Sequence, residues 1–236
     1  MNTVTSGGFY RLEGPCRIEC SIWDSSSVES ASTVSSTNVT LSALAGSAMN
    51  GFDKGIETIY ASTASPITDA TAVRGLRLLS EALPRLPDDP AAMEHAVVGM
   101  ILVQYERQPS FVHAFGHGFA ERYDVQQGVV HGVLVPHVLR YLFEQVDARR
   151  SVLAEAFAID TWSMDDAAVA EAIVEAVEAV RDALDRPTRL RDLDPVREAN
   201  LPAIAGAVID DRMMPRAPSA LAPTVDDIEG VLRAAW

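Results

Sequence analysis

The sequence predicts an all-α fold: one helical bundle over residues 45–236, behind an N-terminal segment, residues 1–44, with no regular structure. Three observations carry this. Apolar residues recur at helical spacing in an alanine-rich background from Ala45 onward, N-cap signatures and prolines punctuate that stretch, and no run alternates as a strand does. The change of texture near Leu44 sets the boundary, because the preceding residues are rich in Ser and Thr and poor in apolar side chains. Such a segment buries too little to offset the entropy of ordering it, and loose attachment is expected.

The elements follow in order. Thr68-Asp69 reads as the N-cap and first-turn acid of a first helix. That helix turns Val73, Leu76, Leu79 and Leu83 inward and closes at Pro84. Another runs from about Pro90 to Glu106, one starts after Pro109, and one follows Gly128 with Pro136 expected to kink or end it. Ser163 precedes a long amphipathic helix reaching about Leu184, with Asp165 and Asp166 placed well against its dipole. Thr224-Val225-Asp226-Asp227 opens a last helix that ends at Trp236. No internal repeat is visible.

Composition narrows the function. With 236 residues, 48% of them hydrophobic, the chain has material for one sizeable core. Its net charge of -14 argues against nucleic acid as a partner, since phosphate contacts need clustered Lys and Arg. Abundant Asp and Glu beside a single lysine fits an acidic, halophilic habit, in which salt screens the repulsion. Cys16 and Cys20 have no second pair, which excludes a disulfide framework or a four-cysteine zinc site. No run is apolar for the ~18 to 20 residues a membrane span takes, and the N-terminus lacks signal-peptide regions, so a cytoplasmic protein is expected.

Two features carry chemistry. The only lysine, Lys54, sits in Met49-Asn50-Gly51-Phe52-Asp53-Lys54-Gly55-Ile56-Glu57, while every other cationic side chain is arginine. That marks a place where a compact ammonium is wanted rather than a planar fork. The second feature is His113 with His117, then Gln127 with His131, each pair four residues apart and therefore on one helix face. Two facing helices that each offer polar groups at this spacing can bind a metal, hold a substrate or relay a proton. Gly116, Gly118, Gly128 and Gly132 let backbones or ligands approach closely.

The string His113-Ala114-Phe115-Gly116-His117-Gly118-Phe119, followed by Gly128-Val129-Val130-His131-Gly132-Val133-Leu134-Val135-Pro136-His137-Val138, resembles the C-terminal helical domain of the iron-containing alcohol dehydrogenases. Met49 to Ala61 is similar to that family's first metal-ligand helix, and the likeness continues to Trp236. The resemblance implies the all-α half of a dehydroquinate synthase-like fold. It also implies NAD or NADP on an N-terminal α/β domain and a divalent iron or zinc ion in the helical domain. Gly7-Gly8 does not make the dinucleotide turn, since no βαβ pattern surrounds it. A truncated or split family member is therefore expected, inactive alone, with a separate nucleotide-binding chain or a homodimer as its partner.

Carried over onto this chain, the family's metal-ligand positions fall on Asn50, Lys54, His113 and Gln127. A register shifted by three would use Asp53 and Glu57 instead, but it misplaces Met49 and Tyr60. In the first register the shell moves from a charge of about -1 to about +1, and a divalent ion ~4 Å from the ammonium meets ~8 kcal/mol of repulsion at an effective dielectric of 20. No metal is expected there. The resemblance extends in part to the metal-independent maleylacetate reductase branch, which has Asn at the first position and an additional histidine that would be His131.

The implied chemistry is hydride transfer between a nicotinamide and an alcohol, aldehyde, ketone or oxoacid. Lys54 would act as electrophile with Glu57 keeping it charged, His113 and His117 would orient substrate and pass the proton, His117 would also meet the cofactor, and His131 would be the second proton donor. Two other readings stand beside this one. The chain could be a vestigial or non-enzymatic helical fragment, or a metal-binding module using His113, His117, His131, Asp53 and Glu57.

Overall fold

The structure, a computed structural model, describes residues 38–236 apart from Pro87 and Pro90, with side chains from Ala45 onward. The expectations for residues 1–37, Cys16 and Cys20 among them, lie outside the described residues. Among the described residues there are nine α-helices and no strand, the all-α architecture that the helical spacing predicts.

Helix α1 spans Asn38–Tyr60. It starts earlier than the change of texture near Leu44 implies, so Asn38 to Leu44 are its first turns. It is the spine of the bundle. Met49, Phe52, Ile56 and Ile59 are fully buried, and so are Asp53 and Glu57 on the same helix. Helix α2 spans Pro66–Ala82 and α3 spans Ala92–Gln104. The N-cap of α2 is Ser65, three residues before the expected Thr68. Pro66 takes the first helical position, where a missing N–H costs nothing, and the Thr68 hydroxyl closes a reciprocal capping box by accepting from the Ser65 N–H at 2.8 Å. Pro84 does not terminate α2 directly but lies in a 3-10 turn, Leu83–Arg85.

Helix α4 spans Phe111–Ala120 and α5 spans Gln127–Gln145. Pro136 lies inside α5, and the helix continues for nine residues beyond it. Val133, Leu134, Val135, Val138 and Leu139 around it are fully buried. Burying that surface outweighs the ~3 kcal/mol an internal proline costs. Helix α6 spans Arg150–Ala156 and α7 spans Asp166–Ala183. The cap of α7 is Asp165, which accepts from the Ala168 N–H at 2.8 Å, and Asp166 lies in its first turn. Helix α8 spans Leu201–Ile209 and α9 spans Val225–Ala234, the latter opened by the Thr224–Asp227 capping box and stopping short of Trp236.

The sequence reading missed α6 and α8. Helix α6 has only seven residues and follows two left-handed residues, Ala148 and Arg149. Arg149 is held there by its guanidinium, which donates to both oxygens of Asp69 at 2.7 and 2.6 Å and to the Ile59 carbonyl at 2.8 Å. One side chain thus joins the end of α1, the first turn of α2 and the start of α6. Helix α8 is apolar nearly throughout, which leaves no polar face to reveal its period.

Helices α1 and α5 touch at glycine. A Cβ on Gly128 would stand 1.7 Å from the Gly46 carbonyl oxygen, and it would also meet Asn50 Cβ at 3.2 Å. This contact sets the first turn of α5 against α1, with Asp53 and His131 facing each other further along. Gly75 and Gly99 do the same for α2 and α3, each 3.0 Å from the other's carbonyl once given a Cβ.

Gly128→Ala is therefore expected to force α1 and α5 apart and lower stability by about 1–3 kcal/mol. Gly230→Ala, at an exposed site in α9 with nothing within 4 Å, is expected to raise it by up to about 1 kcal/mol. Urea unfolding of both variants checks the two signs.

Candidate functional site

The site is built where α1, α4 and α5 meet. Helix α4 needs a partner for its N-terminal N–H groups, and the Ser110 side chain does not cap it. Glu57, fully buried on α1, does so from outside: its Oε1 accepts from the Ser110 N–H at 3.0 Å and the His113 N–H at 3.1 Å. Its Oε2 pairs with His113 Nδ1. A carboxylate at a helix N-terminus is also favoured by the helix dipole. The carboxylate expected to support Lys54 is thus engaged with α4 through both oxygens. The Tyr60 hydroxyl lies 3.4 Å from Oε1, and burial, then the Glu57 charge, raises the phenol pKa well above its ordinary value, so Tyr60 stays neutral.

His113 is 5% exposed and its ring centroid lies 4.8 Å from that of His131, which is fully buried on α5. With Nδ1 turned to Glu57, Nε2 is the nitrogen available to a ligand. Burial opposes its protonation, but the charges of Glu57 and Asp53 outweigh burial and raise its pKa, while Lys54 acts in the lowering direction. His131 Nδ1 is in ion-pair contact with Asp53 Oδ2. The two buried groups thus pair with each other, and no further hydrogen-bond partner for the Asp53 oxygens or the His131 nitrogens occurs among the described residues. Gly116 makes room for this ring, because a Cβ there would stand 2.1 Å from His131 Nε2.

The other predicted residues surround this pair. Lys54 is half-buried on α1, close enough for its charge to act on His113. Asn50 and Gln127 are half-buried at the α1/α5 approach, where Asn50 Oδ1 is a buried acceptor with no hydrogen-bond partner among the described residues. His117 stacks edge-on to His113 with centroids 6.4 Å apart. It belongs to a different pairing, however: its Nδ1 is 2.9 Å from Asp211 Oδ2, just beyond α8. His117 also lines a surface pocket of about 520 Å³ with Glu121, Asp210, Asp211 and Arg212. His137 lies off the site, and burial followed by the Arg140 charge lowers its pKa.

The described residues gather three groups able to hold an ion: Asp53, His113 and His131, with one ligand atom from each within 4.8 Å of the others. That set shares only His113 with the four positions Asn50, Lys54, His113 and Gln127. Sequence reasoning missed Ser110 and Asp211. Ser110 follows a proline and precedes an apolar helix, which is a legible N-cap signal, although here its backbone rather than its hydroxyl is used. Nothing local marks Asp211, which meets His117 across 94 residues of chain.

Glu57→Ala should leave two buried N–H groups and the His113 ring without their acceptor and cost about 3–5 kcal/mol. Glu57→Gln keeps an acceptor for the N–H groups and should cost less than half of that. Chemical denaturation of the two variants tests this order.

Residues 44–236 match the Fe-containing alcohol dehydrogenase family, C-terminal. The chain is 28% identical over 173 residues to the 1,3-propanediol dehydrogenase of Citrobacter freundii, covering 71% of this chain and 44% of that protein. It is 32% identical over 114 residues to the maleylacetate reductase of Rhizobium sp. strain MTP-10005, covering 46% of this chain and 32% of that protein. The crystal structure of a 1,3-propanediol oxidoreductase shares the fold with a TM-score of 0.74 and 25% identity, over 81% of this chain and 51% of that one. The chain thus spans about half the length of these relatives. A family match running over most of the sequence, carried by the same helices in space, makes this chain a member of the Fe-containing alcohol dehydrogenase family.

Proposed function

We propose that this chain is the helical half of an NAD(P)-dependent oxidoreductase that moves hydride between an alcohol and an aldehyde, ketone or oxoacid. The observation that carries the reading is the graded cluster of imidazoles. His131 and His113 form a buried inner end between carboxylates, and His117 leads from it to a pocket at the surface. The names of the relatives, a propanediol dehydrogenase and a maleylacetate reductase, fit that chemistry. No membrane-spanning helix occurs among the described residues.

The described residues contain no strand and hence no βαβ unit, so the nicotinamide, which supplies the hydride, would be carried on another domain or chain. The family's ion does not fit the positions the resemblance assigns to it. Asn50 and Gln127 offer neutral amides, Lys54 in its charged form has no lone pair, and only His113 is a metal-type donor. No step here runs through an ion at those positions.

The chain's own residues account for the rest. As the carbonyl carbon accepts hydride, the π pair moves to oxygen beside the Lys54 ammonium, which stabilises the developing charge or grips a substrate carboxylate. His113, fixed by Glu57, presents Nε2 toward the substrate and orients it. His117 hands a proton to the oxygen and recovers one from solvent through the pocket, while Asp211 holds its ring. His131 backs His113 at the closed end.

The test mixes the full chain with a candidate NAD(P)-binding partner and follows NADH oxidation with aldehydes and oxoacids. Turnover is expected in the mixture, falling about 10²- to 10³-fold with Lys54→Met. No turnover with any carbonyl rejects the proposed reaction. Undiminished turnover in the variant removes Lys54 from it.

A further inference from the structure

A second concave site, lined by none of the histidines, lies between α2 and α6. Asp69, Val73, Arg74 and Arg77 recur at helical spacing as one stripe of α2, and Val152 and Glu155 of α6 border the same pocket of about 490 Å³. Helix α6 has seven residues against seventeen in α2, and beside it Pro66 and Arg74 of the stripe stay exposed. A hollow of this size accepts a small molecule.

We propose that this pocket binds a small organic carboxylate, its charged group on the two arginines and its hydrocarbon body along the valines. Two guanidiniums meet here in a chain whose acidic residues outnumber its basic ones by 33 to 19. Arg74 is exposed and pairs with no carboxylate among the described residues. Arg77 is held without being neutralised: one terminal nitrogen donates to the Glu155 carbonyl in the last turn of α6, and its buried Nε has no hydrogen-bond partner among the described residues. A carbonyl carries no net charge, so the Arg77 guanidinium keeps its full positive charge beside the pocket.

The acids around the pocket set the charge of the ligand. Asp69 accepts from Arg149 through both oxygens, at 2.7 and 2.6 Å, so its charge is matched from outside the lining. Glu155 is exposed and adds one negative charge. Two positive charges against that one suit a single anionic group, whereas the second charge of a phosphate would meet Glu155. The planar guanidinium fork also matches a carboxylate. Val73 and Val152 pack on the hydrophobic core and give the pocket firm apolar walls. Through Asp69 and Arg149 the pocket borders the tie that holds the Ile59 carbonyl at the end of α1.

The site is independent of the proposed turnover and is tested without it. The isotope-labelled full chain is titrated with sodium hexanoate, 1-hexanol and inorganic phosphate while NMR follows methyl and arginine side-chain signals. Saturable hexanoate binding is expected to move the Val73, Val152 and Arg77 signals together, with hexanol and phosphate at least about 10-fold weaker. Arg74→Ala, an exposed change to a good helix former, should weaken hexanoate at least about 10-fold while the urea midpoint does not fall. Glu155→Gln keeps the carbonyl that holds Arg77 and should tighten hexanoate and phosphate alike. Lys54→Met should leave hexanoate binding unchanged, which separates this pocket from the histidine site. Absence of a saturable shift at Val73 and Val152, or one that Arg74→Ala leaves undiminished, overturns the proposal. Phosphate binding as tightly as hexanoate overturns it too, as does hexanoate binding that disappears with Lys54→Met in a folded chain.

Discussion

The buried carboxylate of Glu57 is the interaction on which the arrangement of the site depends. It answers three demands at once: two N–H groups at the start of α4 need acceptors, the His113 ring needs an orientation, and α1 needs a fixed rotation against α4. A serine cap within α4 would satisfy only the first. Because the acceptor comes from α1, any rotation of that helix would break the cap, and the imidazole is held as firmly as the helix end itself. The cost of burying the charge is offset by backbone donors and the helix dipole rather than by a single counter-ion.

The glycine contact between Gly46 and Gly128 has the complementary role. It brings α1 and α5 to a separation that no side chain would permit, and thereby sets Asp53 opposite His131. Arg149 closes the other end of α1 by taking the Ile59 carbonyl and both oxygens of Asp69. Helix α1 is thus constrained along its α5 face at Gly46, against α4 through Glu57 in its last turn, and at its C-terminus, which suits an element that carries Asn50, Asp53, Lys54 and Glu57. Rigid placement of this kind is what sites for hydride transfer or metal binding require.

Much of the fold was legible. The capping box at Thr224 and the long amphipathic stretch of α7 declare themselves locally, and the all-α class follows from them. The errors have physical causes. Thr68 looks like a cap because it is a capping-box member, but the chain enters the helix at Ser65, where Pro66 can take the first turn. Pro136 looks like a terminator because local propensity takes no account of the buried surface around it. Helix α6 was too short to show a period, and α8 too uniformly apolar.

The sequence by itself determined the family resemblance, the helical class and the chemical inventory: one ammonium, the histidines of α4 and α5, and the two carboxylates of α1. Which of these meet was decided only in three dimensions. Asp53 pairs with His131 and Glu57 with His113, while His117 turns away to Asp211, whereas spacing alone would group all three histidines. The reason is that residues three and four apart share a helix face whatever the helix packs against. The rotation and closeness of α1 against α4 and α5, set by a borrowed cap and a glycine contact, are properties of no single segment.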